Sequence, residues 1–189
     1  IDSDDYYDLK KFEKQITILE ENNNISLVGS NLSLVDFTDN IIGQRIYPEN
    51  PTQIRKQFLY KMAVANPSVV IRRDDLDEVG YFDIDFNKAE DFELWLRFLV
   101  KNKNMYNIQE KLVYYRTTND ANQKRGPIHY NNYYLAMKRH SQFIWPFLYR
   151  IVPLVIFYII KLMPNNILSL LLKTNVNNRI KRIIYETKR

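Results

Sequence analysis

The sequence predicts an α/β fold, and three observations carry that expectation. Short apolar runs of strand character, at 25–31, 68–72, 105–108 and 112–116, are interleaved with stretches of helical periodicity at 7–22, 52–62, 74–79 and 90–101. The chain opens with one apolar residue, Ile1, followed directly by Asp2-Ser3-Asp4-Asp5, as at the carboxyl end of a strand. A helix then begins on two adjacent carboxylates, Glu90 and Asp91, out of a loop rich in Asp and Asn.

Each element has a local cause. In 7–22 the apolar residues Leu9, Phe12, Ile16 and Leu19 fall on one helical face, Asp4 or Asp5 is placed to cap it, and Asn22-Asn23-Asn24 ends it. The run 25–31 reads as a buried strand. The runs 32–37 and 41–47 flank the turn Thr38-Asp39-Asn40 and read as a hairpin. Pro48 and Pro51 bracket a loop before the helix at 52–62, and Asn66-Pro67 breaks the chain ahead of the strand at 68–72. The helix at 74–79 is stopped by Gly80. Residues 81–88 form an acidic, aromatic loop of the kind that lines a site. In 90–101, Leu94, Trp95, Phe98 and Leu99 give the helix a core side, and Trp95 is expected in the core. Two short strands, 105–108 and 112–116, follow.

Beyond Arg116 the character changes. Residues 117–127 are polar and basic without periodicity, and 128–143 are helical with a cluster of Tyr130, Tyr133 and Tyr134. Residues 143–163 are strongly apolar but interrupted by Pro146, Arg150, Pro153 and Lys161. The longest unbroken apolar run there, 151–160, is about half of the roughly twenty residues that a spanning helix needs. Further amphipathic stretches at 167–172 and 180–185 are flanked by cations. Apolar faces with a Lys/Arg rim suit a membrane interface, and a helical hairpin covering the core is the alternative. The expected domains are 1–127 and a helical, membrane-interface tail at 128–189.

Composition narrows the chemistry. A length of 189 residues suits one domain with a real core. There is no Cys, so disulfides, thiolate metal sites and thiol nucleophiles are excluded, and His129 and His140 are too few for a poly-His site. No G-x-S-x-G-like elbow is present to carry a Ser-His-Asp arrangement. The net charge of +5 is uneven: residues 138–189 carry +9 and residues 1–137 carry −4. A basic, apolar tail on an acidic body points to an anionic surface as partner. A nucleic-acid partner is not expected, because the cations sit among long aliphatic runs rather than among exposed aromatics.

Two acidic groups are candidates for chemistry. Mg²⁺ in phosphate sites takes oxygen ligands from one or two carboxylates plus phosphate oxygens, which suits Asp2, Asp4 and Asp5. Asp91 at a helix start reads either as a cap for free N–H groups or as a general base held on a rigid element. The order D-S-D-D, helix, strands, Asn66-Pro67-Ser68, Gly80-Tyr81-Phe82-Asp83, A-E-D-F-E-L-W-L-R, Tyr114-Tyr115-Arg116 resembles the family 2 glycosyltransferases of GT-A fold over about residues 1–118. Their acidic D-x-D loop looks like Asp2-Ser3-Asp4, and their E-D motif looks like Glu90-Asp91.

The resemblance implies a partial GT-A fold without its N-terminal nucleotide-binding strands, so that Ile1 lies beside a sheet edge left open. It also implies inverting transfer of a sugar from a nucleotide-sugar donor to the hydroxyl of a glycan or lipid-linked acceptor. Asp2 and Asp4 would hold Mg²⁺ or Mn²⁺, with Asp5 and Arg116 beside the donor. Asp91 would be the base and Glu90 would shape the site. The tail would hold the enzyme at the cytoplasmic face of a membrane. Family members often continue Y-R-x-H. Here Thr118 stands at the His position, which leaves Arg116 or Asn119-Asp120 to contact the diphosphate. The rival reading is a non-catalytic, membrane-associated remnant in which these acids only cap helices.

Overall fold

A computed structural model describes residues 4–117 and 127–146, with Ile151, Leu154, Val155, Tyr158, Ile159, residues 161–164 and Ile167. At its centre is a mixed five-stranded sheet in the order β1-β5-β2-β3, with β4 also paired to β2. The strands are β1 (Tyr6–Tyr7), β2 (Ile25–Val35), β3 (Ile41–Arg45), β4 (Val70–Ile71) and β5 (Asn104–Arg116). The helices are α1 (Lys11–Glu21), α2 (Pro51–Gln57), α3 (Arg73–Val79), α4 (Glu90–Val100) and α5 (Pro127–Ile144). Helices on a mixed central sheet fit the α/β, GT-A-like arrangement expected. Ile1 and the open sheet edge foreseen beside it lie outside the described residues.

The central ladder is the parallel pair β2 and β5, running from Ile25 opposite Asn104 to Val35 opposite Arg116. Residues 26–33 are buried throughout, as in a strand covered on both faces. The runs 25–31 and 32–37 are therefore one strand, with a register shift near Asn31 in place of a break. The two short strands after residue 104 likewise merge into β5. The hairpin holds: β2 and β3 pair antiparallel, Leu32 opposite Arg45. The strand expected over 68–72 contracts to Val70–Ile71, since residues 66–68 form a 3₁₀ turn opened by Pro67. The helix expected over 52–62 ends at Gln57. Its start is well defined, because the Asn50 side chain accepts the Gln53 N–H at 3.0 Å and Pro51 takes the first position.

The first helix departs most from expectation. It begins at Lys11, Tyr6–Tyr7 being a strand paired with Val113 and Tyr114. Its inward face is Lys11, Gln15 and Leu19, while Leu9 is 97% exposed and Phe12 and Ile16 face solvent. A polar bond sets this orientation. The Gln15 amide donates to the carbonyls of Val28 and Ser68, both at 2.7 Å, and so satisfies two buried acceptors that no apolar side chain could. Neither Asp4 nor Asp5 caps α1. Asp8 accepts the Lys10 N–H at 2.8 Å instead, and Asp5 is engaged by Arg116.

Helix α4 is the apolar centre. Phe92, Leu94, Trp95, Leu96, Phe98 and Leu99 are all buried, more than the single face expected, because the sheet side and α5 both cover it. Trp95 is in the core as foreseen. From α5 come Tyr133, Ala136, Met137 and Ile144, with Trp145 beyond it, and Tyr133 stacks on Phe92 at 4.0 Å. Each fully buried large side chain contributes roughly 1.5–3 kcal/mol, so α5 is a substantial part of the fold.

Lys11 is a buried cation with no carboxylate partner among the described residues, lying 4.3 Å from the Phe12 ring centroid and 5.5 Å from that of Tyr7. Burial lowers its pKa from 10.5 to about 8. Between these two values the unfolded chain binds more protons than the folded one, so stability rises with pH across that window. Lys11→Met should raise the urea midpoint at pH 7 and flatten its increase toward pH 10. Equal slopes in the two proteins would refute this account.

Candidate active site

The acidic segment, the end of β5 and the hairpin turn meet at one place. Asp4 is exposed, Asp5 is half-buried, and Asp2 lies outside the described residues. The Arg116 backbone N–H donates to Asp5 Oδ1 at 2.8 Å, and its guanidinium Nε donates to the Asp4 carbonyl at 2.9 Å. The same guanidinium reaches the Asp36 carbonyl through Nη1 and the Asp39 carboxylate through Nη2, the latter at 2.6 Å. The Asp39 carboxylate raises the Arg116 pKa further above its already high value. The structure thus brings Asp4, Asp5 and Arg116 together. Asp36, which the sequence placed in the strand run 32–37, and Asp39, which it placed in the turn, complete the cluster.

That turn is rigid for a chemical reason. Asp36 Oδ1 accepts the Thr38 hydroxyl and N–H, both at 2.8 Å, and the Asn40 N–H at 3.0 Å. These bonds, the Thr38 hydroxyl foremost, hold the Asp36 carboxyl down at about 2. Asp39 takes a left-handed φ of 64°, which Asp and Asn tolerate best among side-chain-bearing residues.

The second acidic pair opens α4. Ala89, whose side chain makes no cap bond, occupies the N-cap position, so Asp91 stands at the second helical position. Its Oδ1 accepts the Phe92 N–H at 2.7 Å, and the helix dipole favours its negative charge there. Glu90 Oε2 is buried and has no hydrogen-bond partner among the described residues. A buried carboxylate oxygen left unpaired is costly, and such groups are a mark of sites completed by a ligand or water.

The loop before this pair is laced to α5. His129 Nδ1 donates to the Lys88 carbonyl at 2.6 Å, Asn132 donates to the Asn87 carbonyl at 2.8 Å, and Arg139 pairs with Asp83 at 2.8 Å. The Asp83 carboxyl is lowered, first by the Asp85 N–H and then by Arg139. Lys88 carries a φ of 66°, an uncommon conformation two residues ahead of Glu90. From α4, Arg97 donates through Nη1 to the Val79 carbonyl at 2.8 Å and through Nη2 to the Tyr81 carbonyl, and its Nε–H is shared between the two oxygens of Glu93. Glu93 is 1% exposed and also accepts from His140 Nε2 at 2.8 Å. Gly80 ends α3 with φ 92°, and a Cβ there would meet Arg97 Nη1 at 3.0 Å. None of these α5 partners is legible in the sequence, where a lone His or Asn carries no spacing signal.

The acceptor atoms near Asp4 are carboxylate and carbonyl oxygens, the type a hard cation takes, and the Arg116 guanidinium lies among them. Among the described residues no group of three His, Cys, Asp or Glu converges on one point. A cation at Asp4 would therefore complete its shell with phosphate oxygens and water, the usual mode for Mg²⁺ at nucleotides.

Comparison with known proteins bears on the whole assembly. Residues 1–152 match the profile described as glycosyltransferase like family 2. An uncharacterized glycosyltransferase of Methanocaldococcus jannaschii is 28% identical over 124 residues, covering 65% of this chain and 42% of that one. The UDP-Gal:alpha-D-GlcNAc-diphosphoundecaprenol beta-1,3-galactosyltransferase of Escherichia coli is 27% identical over 131 residues, covering 68% of this chain and 46% of that one. A Bacillus subtilis protein bearing the glycosyltransferase name EpsE is 29% identical, covering 66% and 45% respectively. The chain spans somewhat under half the length of these curated relatives. With a matched profile over residues 1–152 and these relatives beside it, the chain belongs to the glycosyltransferase-like family 2.

Proposed function

We propose that this protein transfers a sugar, with inversion, from a nucleotide-sugar to an acceptor hydroxyl in the synthesis of an envelope or surface glycan. The observation that carries the reading is the paired acid at the start of α4: Glu90 with a buried, unpaired oxygen, and Asp91 beside it on a rigid helix start. Family membership supplies the reaction class, and the lipid diphosphate in the name of the Escherichia coli relative supports a glycan or lipid-linked acceptor.

In this reading the Asp91 carboxylate takes the proton of the acceptor hydroxyl as its oxygen bonds to the anomeric carbon. The bond from that carbon to the diphosphate breaks on the opposite face, and the electron pair leaves with the nucleotide. Glu90 accepts a hydrogen bond from the incoming acceptor through its unpaired oxygen and orients it. Asp4, with Asp2 before it and Asp5 behind, would hold Mg²⁺ or Mn²⁺, whose chemistry there is neutralisation of charge on the departing diphosphate. Arg116 stands beside that diphosphate.

The basic tail makes the enzyme peripheral at the inner, cytoplasmic face of a membrane. Among its described residues Ile151, Val155, Tyr158, Ile159 and Leu162 are exposed at helical spacing, while Leu154 packs on the core. No helix among the described residues is long and apolar enough to cross a membrane. An exposed apolar stripe in a region of charge +9 supports a helix lying in the interface. The amphipathic stretches expected at 167–172 and 180–185 fall outside the described residues, Ile167 excepted.

Asp91→Asn in the natural chain should lower transfer by about 10²- to 10⁴-fold while leaving the thermal midpoint and donor affinity near wild type. Asn serves a helix start nearly as well as Asp, so an active variant would show the carboxylate to be structural only. Asp4→Asn should act on the other side, weakening divalent-dependent donor binding together with turnover, as read by calorimetric titration with and without metal.

The paired change Ile159→Glu and Leu162→Glu should release the protein from anionic vesicles in a flotation assay. Transfer to a water-soluble acceptor should remain. High salt alone should weaken attachment only in part, because apolar burial is screened less than surface charge. Undiminished flotation of the variant would refute the interfacial placement.

A further inference from the structure

We propose that Arg116 is a positioning residue, a clamp that fixes the acidic segment Asp4-Asp5 against the turn of the β2–β3 hairpin. The inference rests on the donor-side reading of Asp4 above and assigns Arg116 a role other than direct contact with the diphosphate.

The geometry is that of a residue already committed to the protein. The Arg116 backbone N–H holds the Asp5 carboxylate and its guanidinium Nε holds the Asp4 carbonyl. The two Nη atoms hold the Asp36 carbonyl and the Asp39 carboxylate. A guanidinium presents five N–H donors in a fixed plane, and here all three of its nitrogens point at protein oxygens. The ring of Tyr6 lies 6.0 Å from the guanidinium and is itself stacked on Tyr114 at 4.6 Å, so β1 supports the clamp from beside it.

The anchor at the far end is stiff. Asp36 ties Thr38 and Asn40 into a closed turn, and its own N–H donates to the Asn40 carbonyl at 3.0 Å. The segment of Asp4 and Asp5 is tied to the end of β5 through Arg116. It leads into β1, whose two residues pair, among the described residues, with the end of β5. The exposed Asp4 carboxylate stands just ahead of this short strand, so its place follows from what holds its backbone, and Arg116 bridges that backbone to the braced hairpin turn. Lys cannot reproduce this, having one point charge where the fork serves three directions.

The two roles for Arg116 predict opposite signs for one substitution. Asp39 is 63% exposed in its side chain, and Asn tolerates its φ of 64°, so Asp39→Asn should leave the fold intact. If Arg116 contacts the diphosphate directly, loss of the Asp39 charge frees it, and donor binding stays equal or tightens. If Arg116 is the clamp, the acidic segment loosens and donor binding weakens.

The test uses the natural chain, with Mn²⁺ and UDP as probes. Hydrogen exchange is followed in peptides covering residues 4–8 and 114–117, and Mn²⁺ bound in the presence of UDP is counted by electron paramagnetic resonance. For both Asp39→Asn and Arg116→Lys, exchange should quicken and Mn²⁺–UDP binding weaken by roughly two- to fivefold, the scale of a partly exposed charge pair. Unchanged exchange in both variants would overturn the clamp. Faster exchange with equal or tighter Mn²⁺–UDP binding would overturn the positioning role and return Arg116 to diphosphate contact. Absence of Mn²⁺–UDP binding in the wild-type chain would count against the donor-side reading itself, and the exchange measurement would still decide the clamp.

Discussion

The parallel pairing of β2 with β5 is the constraint on which the rest of the structure depends. It runs the full length of both strands and brings Arg116, at the end of β5, beside Val35 at the end of β2. The residue after Val35 is Asp36, so the ladder carries the guanidinium to the hairpin turn by register alone. β1 pairs with the other side of β5 through Tyr114 and Val113, which places Asp4 and Asp5 within reach of the same arginine. A slip of one residue would turn every side chain of β5 to the opposite face and take Arg116 away from both partners. The buried midsection guards against such a slip. Asn107 donates to the carbonyls of Pro48 and Ala63, and its amide oxygen lies where a Cβ on Gly29 would stand, 2.4 Å away. Glycine is required there by close approach of side chain to backbone.

The second acidic pair depends on a different support. Helix α4 sits between the sheet side and α5, and α5 reaches past it to the loop that delivers Glu90 and Asp91. His129, Asn132 and Arg139 bond to the loop at Lys88, Asn87 and Asp83, while His140 bonds to Glu93 within the helix itself. Glu93 is almost fully buried, and a buried carboxylate is tolerable only when its lone pairs are taken up by charged or polar donors. Arg97 and His140 provide those donors, and Arg97 extends the support to Val79 and Tyr81. The result is a charged group used to fix how two helices and one loop meet. The contrast with Glu90 is informative. Three residues earlier in the same helix, a buried oxygen of the half-buried Glu90 is left without such donors among the described residues.

Much of this was legible in the sequence, and the reason is local. The ends of α1, α3 and α4, the start of α4, the hairpin, the break at Asn66-Pro67 and the core side of α4 follow from periodicity, from Pro and Gly, and from Asx chemistry, all of which act within a few residues. The same holds for the candidate acids, because Asp4, Asp5, Glu90 and Asp91 stand in short motifs whose order along the chain is itself the signal.

Tertiary structure decided what local pattern could not. The first helix shows this most clearly. By periodicity Leu9, Phe12 and Ile16 belong inside, yet Gln15 turns that helix over, since the buried carbonyls of Val28 and Ser68 lie 13 and 53 residues away in sequence and need a donor. Whether two short strands are separate or one, and whether Asp5 caps a helix or receives the amide of Arg116, likewise depends on partners distant in sequence. The involvement of Asp39, His129 and His140 is of the same kind. A single polar residue is defined by the groups that face it, and these are set by the β2–β5 register and by the packing of α5 on α4.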